Sequence, residues 1–93
     1  MNAAQCRMAR AATGLGIRDL AVAADVSPNT IARLERGENI RGGTVDAIRT
    51  ALEAAGVEFI AENGGGAGVR LKKRSDSPDE GTPPENLNSA NDG

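Results

Sequence analysis

Asn29, Arg33 and Arg36 are spaced so that, if the segment after Ser27-Pro28 is helical, an amide and two guanidiniums share one side of it. Such groups recognise planar or anionic partners through paired hydrogen bonds and charge. They do not make or break bonds. The chain contains no histidine and a single cysteine, Cys6, so neither a Ser/His nor a Cys/His pair can form. No carboxylate pair stands out for acid–base work, and no zinc or haem ligand set is present, so catalysis, a metal and a cofactor are all unexpected. Gly64-Gly65-Gly66-Ala67-Gly68 lacks the Gly-Lys-Ser/Thr ending of a phosphate-binding loop and opens no helix, so it reads as a turn.

Positioning these side chains requires a helix with a fixed start and a fixed angle to its neighbours. Ser27 is suited to the N-cap and Pro28 to the first helical position, whose N–H needs no partner. Val26 and Ile31 flank the cap as a hydrophobic staple. Ile31 and Leu34 face inward, with Glu35 on the same side, where an unpaired carboxylate would be costly. Gly37 ends the helix.

Before it, a helix is expected from Gly16 or Ile17 to Ala24, with Leu20 and Ala21 inward and Asp19 near the positive end of the dipole. Asp25 then takes the left-handed conformation of a tight turn. A first helix spans about Ala3 to Thr13 and ends at Gly14, with Cys6 as a small core residue. A fourth is expected between Thr44 as N-cap and Gly56, with Val45, Ile48, Leu52 and Ala55 inward.

Beyond Gly56 the period changes. Residues 57–60 and 69–71 are short β-prone runs around a glycine-rich tip, an antiparallel hairpin whose buried face should be Val57, Phe59, Val69 and Leu71. The remainder, rich in Ser, Asp, Pro, Asn and Gly, is expected to be a disordered tail.

With one Phe and no Trp or Tyr, the core of this 93-residue chain must be built from small aliphatic side chains, which suits closely packed short helices. The net charge of −2 hides an uneven distribution: residues 1–74 carry all 11 basic residues and eight of the 13 acidic ones, a net +3, while 75–93 are purely acidic. The folded part is thus compatible with a polyanionic partner. No apolar run approaches the roughly 20 residues of a membrane span and no signal core opens the chain, so no membrane association and a cytoplasmic location are expected.

Arg10, Gly14-Leu15, Leu20-Ala21, Val26-Ser27, Thr30-Ile31, Leu34-Glu35 and Gly37 together resemble the Cro/phage-repressor, or XRE, type of helix-turn-helix, over roughly Cys6 to Leu52. The resemblance implies a compact bundle whose third helix enters the major groove while the second crosses the DNA backbone. On the family's base-contacting positions stand Pro28, Asn29 and Arg33. Asn pairs bidentately with adenine and Arg with guanine, each worth about 1–3 kcal/mol of discrimination. Ser27 and Thr30 can donate hydroxyls to phosphate, and Arg36 and Arg41 are placed to neutralise it. The resemblance also implies an ion pair between Arg10 and Glu35. Two positions depart from the pattern: Gly16-Ile17 stands where Ser-Gln commonly opens the second helix, leaving Arg18 as the substitute backbone contact, and Asp25 stands where the turn usually has Gly.

The expectation is therefore a mainly α fold of about four short helices containing a helix-turn-helix (1–56), then a small β-hairpin that could make a homodimer (57–74), then an acidic tail (75–93). The expected function is a transcriptional regulator, most simply a repressor, binding double-stranded DNA at a two-fold operator. An alternative is an antitoxin that holds a protein partner through its hairpin or tail and uses the helix-turn-helix for autoregulation.

Overall fold

The computed structural model describes residues 1–72. The expected acidic tail at 75–93 and the last two residues of the expected hairpin region lie outside them. Four helices, α1 (Ala3–Thr13), α2 (Ile17–Ala24), α3 (Pro28–Glu35) and α4 (Gly42–Ala54), precede two strands, β1 (Val57–Ile60) and β2 (Gly68–Leu71). The architecture is mainly helical, as composition required. None of these helices is long and apolar enough to cross a membrane.

Each helix end has a local cause. Asn2 caps α1 by accepting the Gln5 N–H at 2.8 Å, and Gln5 Oε1 accepts the Asn2 N–H at 2.9 Å. This reciprocal box satisfies two N–H groups that the first turn would otherwise leave open. Gly14 closes the helix at φ 77°. The α2 start lacks a hydroxyl cap, but the Asp19 carboxylate accepts the Gly16 N–H at 3.2 Å.

Asp25 does adopt the left-handed conformation, at φ 58° and ψ 46°, and is the only non-glycine with positive φ among the described residues. The Val26 N–H reaches back to the Ala21 carbonyl at 2.9 Å. That bond turns the chain sharply into α3, where Ser27 Oγ accepts the Thr30 N–H at 3.2 Å.

The start of α4 differs from expectation. Thr44 is not its N-cap: the helix already turns at Gly42, because the Arg41 carbonyl accepts the Val45 N–H at 3.0 Å. Thr44 instead lies in the first turn. Ala55 is likewise exposed, since it caps the helix end instead of continuing the inward stripe.

One cluster forms the core: Cys6 and Ala9 of α1, Leu20, Ala21 and Ala24 of α2, Ile31 and Leu34 of α3, Ile48 and Leu52 of α4, and Val57 of β1. Val26 packs against it beside the cap, in the staple position. Every layer is aliphatic or smaller, so fit must come from close helix approach.

The strands pair antiparallel with Val57 opposite Leu71 and Phe59 opposite Val69. Val57 is fully buried and Phe59 and Val69 are half-buried, but Leu71 is 61% exposed, contrary to its expected place on the buried face. The reason lies in how the hairpin is held. Gln5 Nε2 donates to the carbonyls of Ile60 and Gly68, both at 3.0 Å, which ties α1 to the tip-side end of the hairpin. α1 packs against both strands and α4 against β1, yet burial along β2 stops at Val69, so no helix covers the Leu71 side chain. Arg49 of α4 stacks 5.2 Å above the Phe59 ring, and Glu58 and Arg70 pair across the strands at 2.8 Å.

Candidate nucleic-acid interface

The α2–turn–α3 unit presents one face of α3 to solvent and locks the other. Pro28 and Asn29 are exposed at its N-terminal end; Arg33, one turn on, retains 44% of its side-chain surface and Arg36, beyond the last turn, 57%. Among the described residues no side-chain hydrogen bond occupies the Asn29 amide, Arg18 or Arg41. Arg18 lies apart from these, on the first turn of α2.

Between α3, the loop that follows it and the start of α4 runs an open cleft of about 420 Å³, lined in part by Ser27, Thr30, Arg33, Asn39, Arg41 and Thr44. Four residues expected from the sequence to contact a nucleic acid thus share one surface. Pro28, Asn29 and Arg36 do not line it. The Ser27 hydroxyl is already engaged, with the Thr30 N–H and with Thr30 Oγ1 at 2.9 Å, so the two act as one hydroxyl pair. Asn39 was not singled out in the sequence, and Thr44 only as a helix cap. Their signal is weak, because only the loop's path brings them beside α3.

Glu38 was missed altogether. Its Oε1 accepts from Arg33 Nε at 3.0 Å, and its Oε2 accepts from Arg36 Nε at 3.1 Å and Nη2 at 3.0 Å. Backbone geometry brings the three together. Gly37 adopts φ 89°, its N–H bonds the Leu34 carbonyl at 3.0 Å, and the Glu38 N–H bonds the Arg33 carbonyl at 3.1 Å. This is the Schellman closure, which places the residue after the glycine beside the one five positions earlier. Hydrogen bonds from Arg33 and then Arg36 hold the Glu38 carboxyl below its ordinary range. Recognising the Gly37 reversal in the sequence would have exposed this contact.

On the inner face, Arg10 Nε and Nη2 clasp the two oxygens of Glu35 at 2.6 and 2.9 Å, a bidentate pair joining α1 to α3. Glu35 keeps 8% of its side-chain surface and Arg10 23%. The Cys6 thiol donates to Glu35 Oε2 at 3.3 Å, Arg7 Nη1 donates to the Glu35 carbonyl, and Arg10 Nη1 donates to the Leu15 carbonyl. Burial pushes the Glu35 carboxyl up, but the Arg10 and Cys6 hydrogen bonds and the neighbouring guanidinium charges outweigh it, so it sits below the ordinary 4.5. Burial, reinforced by Glu35, pushes the Cys6 thiol up to about 12. The cluster fixes how α3 rides on α1 and gives the buried Glu35 carboxylate its partners.

A family model described as a helix-turn-helix domain matches residues 3–59, more than half of the chain. The chain belongs to the helix-turn-helix domain family. No curated protein matches it. The match runs through all four helices and most of β1, and the unit of α2, the Asp25 turn and α3 is the helix-turn-helix itself. The protein is accordingly a helix-turn-helix DNA-binding protein, with the polar face of α3 exposed to solvent.

Proposed function

We propose that this helix-turn-helix protein is a sequence-specific transcriptional regulator of the Cro/phage-repressor type, acting in the cytoplasm as a repressor that occupies a promoter as a two-fold dimer. The observation that carries this reading is the division of α3: its inner face is locked by Ile31, Leu34 and the Glu35–Arg10 pair, while Asn29 and Arg33 project from its outer face. A rigid helix with an amide and a guanidinium one turn apart is what base-edge reading in the major groove needs. Pro28 adds apolar contact at the same end. Thr30, Arg36, Arg41 and Arg18 then contact phosphate and set the register, with Ser27 buttressing Thr30.

The dimer is assigned to the hairpin. Its two strands pair only with each other among the described residues, so each keeps an open edge, and Leu71 adds uncovered apolar surface. A two-fold pairing there would set two copies of α3 on successive major-groove faces, about 34 Å apart.

Selection of bound duplexes from a randomised pool tests the reading. A two-fold motif with half-sites about 10 bp apart, centre to centre, is expected. Recovery of unrelated sequences bound with equal strength would refute sequence-specific regulation.

A further inference from the structure

The Arg33 guanidinium has five N–H donors, of which its contact with Glu38 uses one, the Nε–H, at 3.0 Å. Among the described residues both terminal amino groups, the end-on pair that spans guanine O6 and N7, stay open. The carboxylate making that contact is itself fixed. Its second oxygen is held by Arg36 through Nε and Nη2, and its backbone is pinned by the Gly37 turn and the Glu38 N–H bond to the Arg33 carbonyl.

A long, flexible side chain loses rotamer freedom when it docks on a base, and a contact that orients it beforehand lowers that cost. Glu38 also sets a negative charge beside the groove-facing helix, which opposes binding to phosphate in general. Orientation of the base-reading group and discouragement of non-specific contact act in the same direction.

We propose that Glu38 is a positioning residue for specificity, holding the Arg33 guanidinium by its Nε edge so that its terminal amino groups face a guanine in each half-site. The proposal rests on Arg33 reading a base, as argued above. Arg36 balances the carboxylate's second oxygen and leaves Arg33 with its positive character for the base.

A competing arrangement is a simple latch, in which Glu38 occupies Arg33 and Arg36 in the free protein and must let go before either meets DNA. The two differ in sign. A positioning residue raises the ratio of specific to non-specific binding, whereas a latch lowers affinity for every sequence alike.

The test uses the full chain, its E38Q, E38D and R33A variants, and duplexes from a randomised pool, with base preference scored at each half-site position and melting temperatures measured alongside. For R33A, about tenfold discrimination is lost at one guanine position. For E38Q, roughly three- to tenfold is lost at that same position, non-specific affinity rises, and the melting temperature is unchanged, with partial recovery of preference in E38D. If R33A relaxes the position while E38Q leaves the preference intact and tightens binding to all duplexes, Glu38 is a latch and the proposal falls alone. If R33A leaves every position unchanged, the assignment of Arg33 to a base falls and takes the proposal with it.

Discussion

At the scale of single residues, Glu35 is the one buried charged group among the described residues. Replacing it with Ala leaves Arg10 without its partner at the α1–α3 contact, and loss of a largely buried ion pair costs about 3 kcal/mol. Glu35→Ala is expected to lower the melting temperature markedly; an unchanged value would contradict the structural role. The pH dependence has a definite sign. The folded carboxyl titrates below 4.5, so in acid the unfolded chain binds the proton first. Stability from Glu35 is full above the unfolded value and is lost as pH falls through the folded one. Urea midpoints should therefore fall as pH drops below about 4.5, with a weaker fall in Glu35→Ala. Cys6, fully buried with its thiol held protonated up to about 12, should react with a thiol reagent at neutral pH only as fast as the protein unfolds. Rapid labelling of the native protein would contradict its burial.

At the scale of elements, the turns were the most legible part of the sequence because their causes are local. Ser27-Pro28, Gly14 and Asp25 each announce a cap or a left-handed residue within a few positions. Asp25 also carries a prediction: at φ 58° a glycine is less strained, and although it adds freedom to the unfolded chain, Asp25→Gly should stabilise by about 0.5 kcal/mol. Chemical denaturation measures this, and destabilisation would show that the Asp25 side chain contributes something the backbone does not reveal. The start of α4 was misread because Thr44 is a good cap by type, whereas Gly42 and Gly43 are poor helix formers that are nonetheless carried into the first turn. Gln5 was passed over because its partners, Ile60 and Gly68, are 55 and 63 residues away, a separation that no local pattern reports. Gln5→Leu should accordingly raise amide exchange through residues 57–60 and 68–71 more than in α3; uniform exchange would show that the hairpin does not depend on this tie.

Across the whole molecule, the helical core was readable from apolar spacing, since Leu20, Ile31, Ile48 and Leu52 recur at helical periods and all four are fully buried. The outward face was less readable. Asn29 and Arg33 were placed on it by type and spacing, but Glu38 entered only with the Gly37 reversal, Asn39 only with the path of the α3–α4 loop, and Thr44, read as a cap, joined this surface by the same path. Leu71 was misplaced because alternation along a strand says which face a residue shares, not whether another element reaches that far. Its exposure makes it the point at which to test assembly: Leu71→Glu should shift sedimentation toward the monomer and weaken DNA binding. A dimer unchanged by the substitution would place the two-fold contact elsewhere.

The central claim is that α3 reads bases through one arginine and grips phosphate through another. Base preference and salt dependence should be measured together for the unaltered chain, Arg33→Ala and Arg36→Ala on the same pool of duplexes. Arg33→Ala is expected to lose preference at one position per half-site, a loss of about 1–3 kcal/mol. Arg36→Ala should weaken all sequences alike and reduce the salt slope by about one per site. Indistinguishable behaviour of the two variants would contradict it.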